Sequence, residues 1–343
     1  MSSSANAEVS KCTIEKHGWS FVNPFPEFRF NTPAEVVKLL FWQKDNSDVP
    51  YLKHELDDIL PFNNNFNEVH TSTNNSITWI GHASCLLKIS GLFVLTDPIF
   101  SQNCSALQWS LSNKLKRFRD PGIQLDDIPT VDAVVISHNH YDHLDYYSVI
   151  DINKRFSNVK WLVPMGLKQW FVSSGIENRN VHEMTWWQET SLSFRDNTNL
   201  TFSCLPAQHW SIRNLYDRNW TLWCGWGIKS DERNVYFAGD TGYNSRIFNE
   251  IGHHNGPFDL SLIPIGAYEP REMLKFQHVN PDEAVKVHCE VKSKLSLGIH
   301  WGTFQLGYEH YMKPKQDLDD ALKNQGVDKN KFLTFDHGHT SSF

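Results

Sequence analysis

Apolar runs of four to six residues recur along the second three-quarters of this chain: Ile77–Ile80, Ser84–Ile89, Leu92–Leu95, Ala133–Ile136, Lys160–Val163, Leu200–Leu205, Val235–Ala238, Leu260–Ile263 and Leu295–Ile299. Their length and branched composition predict short buried strands. Helical patterns lie between some of them. Asn280 followed by Pro281 and Glu283 predicts a capped helix over 281–291, and Gly326 predicts the stop of a helix over 316–324. Meandering strands with interleaved helices predict stacked α and β layers. Upstream the texture differs. Residues 1–18 read as a mobile tail, and Asn23-Pro24-Phe25-Pro26 as an extended segment. Thr32, Pro33 and Glu35 predict a helix start. That helix runs to Trp42, apolar on more than one face, either as core or as an interfacial element carrying Phe41 and Trp42. The polar stretch 44–76 reads as a linker or wrapping segment. The expected organisation is therefore a tail over 1–18, an N-terminal extension over 19–76 and a catalytic domain over 77–343.

Composition narrows the class. The chain has 343 residues, 40% hydrophobic and 21% charged, which is globular and large enough for a sizeable core. No apolar stretch approaches a membrane span, mean hydropathy is −0.46, and the first residues lack the features of a secretory signal. A net charge of −7 argues against a nucleic-acid partner. The six cysteines form no CxxC pair, so neither a zinc ribbon nor a disulfide scaffold is expected; Cys85, Cys204 and Cys289 read as buried and the compartment as reducing. Seventeen histidines point toward metal, and 13 Trp, 10 Tyr and 22 Phe toward a wide apolar binding surface or a large core.

The chemistry concentrates after the strand at 133–136. His138, His140, Asp142 and His143 are four candidate metal ligands within six residues. The run fits neither one helix face nor one strand face, so it must be a tight loop, able to aim His138 and His140 at one centre and Asp142 and His143 at a second. Three imidazoles and a carboxylate suit Zn²⁺, ahead of Mn, Fe or Co.

This segment resembles the HxHxDH signature of the metallo-β-lactamase fold. Further candidates follow in that fold's order, each just past an apolar strand: His209, Asp240 in Gly239-Asp240-Thr241, and His300. The resemblance narrows with Thr78-Trp79-Ile80-Gly81-His82-Ala83, Leu95-Thr96-Asp97-Pro98, Gln208-His209-Trp210, Pro264-Ile265-Gly266-Ala267-Tyr268-Glu269-Pro270, Gln277-His278-Val279 and His300-Trp301-Gly302-Thr303-Phe304. Together, and over residues 18 to 340, these are similar to the N-acylphosphatidylethanolamine-hydrolysing phospholipases D. The resemblance implies an α/β, four-layer αββα sandwich with an N-terminal extension. It also implies a phosphoric diester hydrolase that splits N-acylphosphatidylethanolamine into N-acylethanolamine and phosphatidic acid by metal-bound hydroxide.

In that family's pattern His138, His140 and His209 hold one zinc ion, Asp142, His143 and His300 a second, and Asp240 bridges them. Asp97 orients a ligand histidine. Asp142, Gln277 and His278 are the catalytic candidates; Gln277, His278 and His337 are expected to meet substrate, with His337 lining a lipid passage. Tyr141 and Tyr146 flank the loop and either touch substrate or simply satisfy their hydroxyls. A homodimer, lodged peripherally on a cytoplasm-facing intracellular membrane, is the expected assembly. One departure stands out. The stretch tied to bile-acid binding in the family carries a basic pair after His-Trp, whereas here it reads Ile212-Arg213, which leaves that regulation open. Lys114, Lys116, Arg117 and Arg119 form a basic cluster, either a contact for anionic headgroups or a solvated face. The alternative functions are a lactone or nucleic-acid hydrolase of the same fold, and a non-enzymatic lipid-binding scaffold. A complete ligand set argues against the scaffold.

Overall fold

The apolar runs pair into two seven-stranded sheets. In the computed structural model, residues 11–32, 34–35, 48–50, 52–106, 115–214 and 216–343 are described. A short hairpin of β1 (Glu15–His17) and β2 (Ser20–Val22) comes first. The first sheet is built from β3 (Ser76–Gly81), β4 (Ser84–Ile89), β5 (Leu92–Thr96), β6 (Ala133–Val135), β7 (Lys160–Pro164) and β8 (Val181–Met184). The second contains β9 (Glu189–Ser193), β10 (Asn199–Leu205), β11 (Gly225–Lys229), β12 (Asn234–Phe237), β13 (Leu260–Pro264), β14 (Ser296–Ile299) and β15 (Phe332–Leu333). The last strand, β16 (Thr340–Ser342), returns to pair antiparallel with β3 at the edge of the first sheet.

Alternation along the strands explains the layering. On β4, β5 and β6, Cys85, Leu87, Val94, Ala133 and Val135 join the core shared with Phe202, Cys204 and Trp226 of the second sheet. Their neighbours Leu86, Phe93, Leu95 and Val134 join a second core under the helices 146–155 and 168–173. Successive side chains of a strand point to opposite faces, so a strand apolar throughout must be covered on both. Helices 245–254 and 281–290, with 313–325 packed on the latter, cover the other sheet. The result is an α/β sandwich of the metallo-β-lactamase type.

The predicted strands are present with ends shifted by one residue at most, and Asn280 and Glu283 form the reciprocal cap at 281. The second predicted helix starts earlier, at Lys313, and ends on Gly326 in a left-handed conformation. Thr32 and Glu35 bond each other's backbone N–H groups as the capping pattern requires; the helix expected beyond them, with Phe41 and Trp42, lies outside the described residues.

Several expectations are revised. Part of the 1–18 tail is ordered: β1 pairs with β2, and Cys12 N–H donates to Glu250 Oε2 at 2.7 Å. The 44–76 stretch contains helices at Lys53–Ile59 and Phe66–Ser72. Cys289 is exposed on its helix rather than buried. Among its described residues, the basic cluster does not form a surface patch. Arg117 is buried, donating to the carbonyls of Ser101 and Ile99 at 2.8 Å each and lying over the Phe304 ring. Arg119 is also buried, paired with Asp57 over Phe62. Only Lys116 of the described cluster residues is exposed, and Lys114 lies outside them. Arg stems fill apolar space while their heads satisfy carbonyls, a pattern that charge counting cannot reveal.

Candidate metal centre

Strand pairing brings the candidate ligands together. β5 and β6 run parallel with Thr96 opposite Val135, so Asp97 and Ser137 leave the sheet side by side. Ser137 N–H donates to Asp97 Oδ1 at 2.7 Å and its hydroxyl to Asp97 Oδ2 at 2.5 Å. The loop that follows folds back on itself, with the N–H groups of His143 and Leu144 both donating to His140 O. Asp145 then caps helix 146–155. From the other sheet, β12 delivers Asp240 through Gly239, which has φ +61°; a Cβ there would sit 2.6 Å from the Ser137 Cβ, so only glycine allows this approach. β14 delivers His300, whose N–H donates to His82 O. His82, Asp97 and His300 all have left-handed backbones, with φ of 53°, 33° and 62°. Such conformations in non-glycine residues cluster at functional sites.

The side chains converge in two groups. His138, His140 and His209 form the first, with His138 Nε2 at 2.8 Å and His209 Nε2 at 3.3 Å from His140 Nδ1. Asp142, His143 and His300 form the second, and His82 joins them. The Asp240 carboxylate lies between: Oδ2 is 3.1 Å from His143 Nε2, 4.0 Å from His138 Nε2 and 3.9 Å from His209 Nε2, and Oδ1 is 3.1 Å from His300 Nε2. The outer nitrogens are held in turn. His138 Nδ1 meets the Ser137 hydroxyl at 2.8 Å, His143 Nδ1 donates to Asp97 Oδ2 at 2.7 Å, and His209 Nδ1 donates to the Gln277 carbonyl at 3.0 Å.

Electrostatics separate the groups. Burial holds His138 and His209 well below the ordinary imidazole range and His140 at about 4, so all three are neutral at pH 7. Burial also works against charge on His143 and His300, but Asp240 and Asp142 outweigh it, lifting His143 well above its usual value and His300 to about 9. Inside the cluster, His140 Nε2 and His278 Nδ1 are buried with no hydrogen-bond partner. Converging nitrogens and carboxylates with orphaned buried donor atoms are what a cation site requires, and this N/O set fits a divalent ion.

The other expected residues are spread around this centre. His278 Nδ1 is 3.8 Å from Asp240 Oδ2. Gln277 Oε1 accepts from Trp210 Nε1 at 2.9 Å, and the Trp210 ring lies 4.9 Å from that of His140. The Tyr141 hydroxyl donates to Arg213 O at 3.1 Å, so it has a partner within the protein. Tyr146 is exposed, near Tyr147 and Trp170. His337 is fully buried, its ring centroid 4.3 Å from that of Trp79 and its Nε2 3.1 Å from Thr303 Oγ1. Two residues were not singled out by the sequence. His82 sits within a quoted run but carries no ligand spacing. Arg213 drew notice only as a departure, yet its Nη1 donates to Asn139 O and Leu144 O and its guanidinium lies 4.2 Å from the Tyr141 ring, tying the 138–143 loop to the segment after His209.

Two facing sheets with a His/Asp cluster at their strand ends define a metal-dependent hydrolase of the β-lactamase superfamily, and the model of the beta-lactamase superfamily domain matches residues 93–301. A solved structure of a possible metal-dependent hydrolase from Veillonella parvula superposes with TM-score 0.61 at 17% identity, over 79% of this chain and 100% of that one, which shows the shared fold. The chain is 39% identical over 310 residues to N-acyl-phosphatidylethanolamine-hydrolyzing phospholipase D 1 of Caenorhabditis elegans, covering 89% of this chain and 86% of the relative. It is 29% identical to a yeast protein named N-acyl-phosphatidylethanolamine-hydrolyzing phospholipase D, mitochondrial, over 94% of this chain and 75% of that one. The chain belongs to the family of N-acyl-phosphatidylethanolamine-hydrolysing phospholipases D and is an enzyme.

Proposed function

We propose that this enzyme is a zinc-dependent phosphodiesterase of the phospholipase D type. It cleaves N-acylphosphatidylethanolamine to N-acylethanolamine and phosphatidic acid. The observation that carries the reading is the Asp240 carboxylate set between two imidazole groups, within 4.0 Å of nitrogens from both. His138, His140 and His209 would hold one ion and Asp142, His143 and His300 the other, with Asp240 shared. A bound pair of divalent ions supplies Lewis acidity, acidifying water and neutralising charge on a phosphoryl group. Asp97 and Ser137 keep His143 and His138 aimed inward. His278, held near 4 by burial and so neutral at pH 7, offers one N–H to a phosphoryl or leaving oxygen.

The surroundings favour an apolar substrate. Trp210, beside His140, meets Phe30 edge-on at 5.5 Å, and Phe30 meets Phe28 at 5.1 Å. This aromatic wall comes partly from the N-terminal extension, which Asn23 fastens to the centre by donating to His209 O at 2.8 Å. Among the described residues no helix is long and apolar enough to cross a membrane. We place the enzyme peripherally on a cytoplasm-facing membrane, with its contact outside the inward-turned Arg117 and Arg119. Purified protein incubated with N-acylated phosphatidylethanolamine in ¹⁸O-labelled water tests the reaction. Label in phosphatidic acid is expected; label in the ethanolamide, or no lipid turnover by zinc-loaded protein, contradicts it.

A further inference from the structure

We infer that His82 is a positioning residue: it donates Nε2–H to Asp142 Oδ2 and fixes that carboxylate toward His143 and His300. The inference rests on the metal-centre reading above. A neutral imidazole carries one N–H. His82 is 1% exposed, its Nε2 is 3.0 Å from Asp142 Oδ2, and its Nδ1 has no hydrogen-bond partner. The satisfied tautomer therefore has its proton on Nε2, and a protonated nitrogen cannot bind a metal ion.

The ring has little freedom to do anything else. The His82 N–H donates to Thr303 Oγ1 at 2.8 Å, and its carbonyl accepts from Trp79 Nε1 at 3.0 Å and His300 N at 2.9 Å. Its ring centroid lies 4.0 Å from that of His300 with the rings tilted, and Phe304 meets it edge-on at 5.2 Å. Asp142 needs such a partner. Three imidazole nitrogens lie within 3.5 Å of its Oδ2; two belong to His143 and His300, which turn to a cation when one binds, and the third is His82. His82 alone of the three can keep holding the carboxylate in the loaded centre. Outer partners of this kind fix ligand orientation, and losing one typically costs about 10–100-fold in metal affinity.

The test compares H82L, which has no donor, with H82Q, which keeps an N–H near the Nε2 position. Metal content is measured by elemental analysis after dialysis of the holoenzyme against graded chelator, and the cobalt-substituted forms are compared by visible absorption. H82L should lose one of its ions at about 10–100-fold lower chelator than wild type and keep the other. H82Q should stay within a few-fold of wild type, and the cobalt spectra of the loaded forms should coincide. Wild-type retention in H82L overturns the inference. So does equal loss in H82Q and H82L with a changed cobalt spectrum, which would make His82 a direct ligand. Should H82L fail to fold, long-range ¹H–¹⁵N spectra of histidine-labelled wild type report the His82 tautomer, and a proton on Nδ1 overturns the inference. Wild-type protein that holds no metal overturns both this and the metal-centre reading, whereas metal-loaded protein inactive on the lipid overturns only the substrate.

Discussion

The two halves of the centre meet at Asp240 but are held by different means. His138 and His209 lean on neutral partners, a serine hydroxyl and a backbone carbonyl, while Arg213 fastens from outside the loop that carries residues of both halves. His143 leans on the buried carboxylate of Asp97, and Asp142 faces three imidazoles. One half is kept by shape, the other by charge. A charge-held group tolerates small backbone shifts but not loss of its counter-charge, because an unpaired buried charge is costly. A shape-held group responds the opposite way. Asp97 complicates the division, since through Ser137 it also touches His138.

The strongest challenge to this contrast is D240N, which removes the one carboxylate facing both halves. Elemental analysis should show both ions weakened together, with lipid turnover down by at least about a hundredfold. Loss of one ion alone would mean that Asp240 serves a single half. D97N comes next. It should lower affinity at the His143 half by about 10–100-fold before the other half responds, as read by stepwise chelator titration. R213A should loosen the loop that carries His138, His140, Asp142 and His143 and so weaken both halves by a smaller factor, and R213K should recover little because a lysine cannot reach both carbonyls while covering the Tyr141 ring. If D97N strips the His138 half first, the division into shape and charge fails.

The smallest effect separates the scaffold from the centre. His288, outside the cluster, bonds Ser296 Oγ at 2.8 Å, and burial together with Lys331 holds it near 4. The unfolded chain takes up that proton near pH 6.5, before the folded protein does, so stability falls as pH drops from about 6.5 toward 4. Urea midpoints of metal-free H288Q should fall less steeply over this window than those of metal-free wild type.

Much of this was readable from the chain. Central strands announce themselves because both faces are buried, as in Ala133-Val134-Val135, and the ligand loop announces itself by crowding four donors into six positions. What escaped notice lacks such local density. β9 reads Glu-Thr-Ser-Leu-Ser, with alternate residues exposed, and resembles loop. His82 is a single histidine in a turn, and its meaning comes from Asp142, 60 positions away. Arg117 and Arg119 look like surface charge because the carbonyls and aromatic rings that draw them inward lie far off in sequence.

The pairing of β16 with β3 has a consequence for biosynthesis. Thr340 bonds Thr78 across 262 positions, Gly338 N–H donates to Trp79 O, and Trp79 N–H to His339 O. While the ribosome is still making the intervening residues, the edge of the first sheet next to His82 stays open. At translation speeds of about 5–20 residues per second, that interval is roughly 13 to 50 seconds. Over that stretch the growing chain carries an unpaired β3 edge, and until residue 300 is made the 138–143 loop lacks at least one of the side chains that complete its cluster. An open strand edge is a template for pairing with another chain, so this interval is when the growing chain is most exposed to edge-to-edge association.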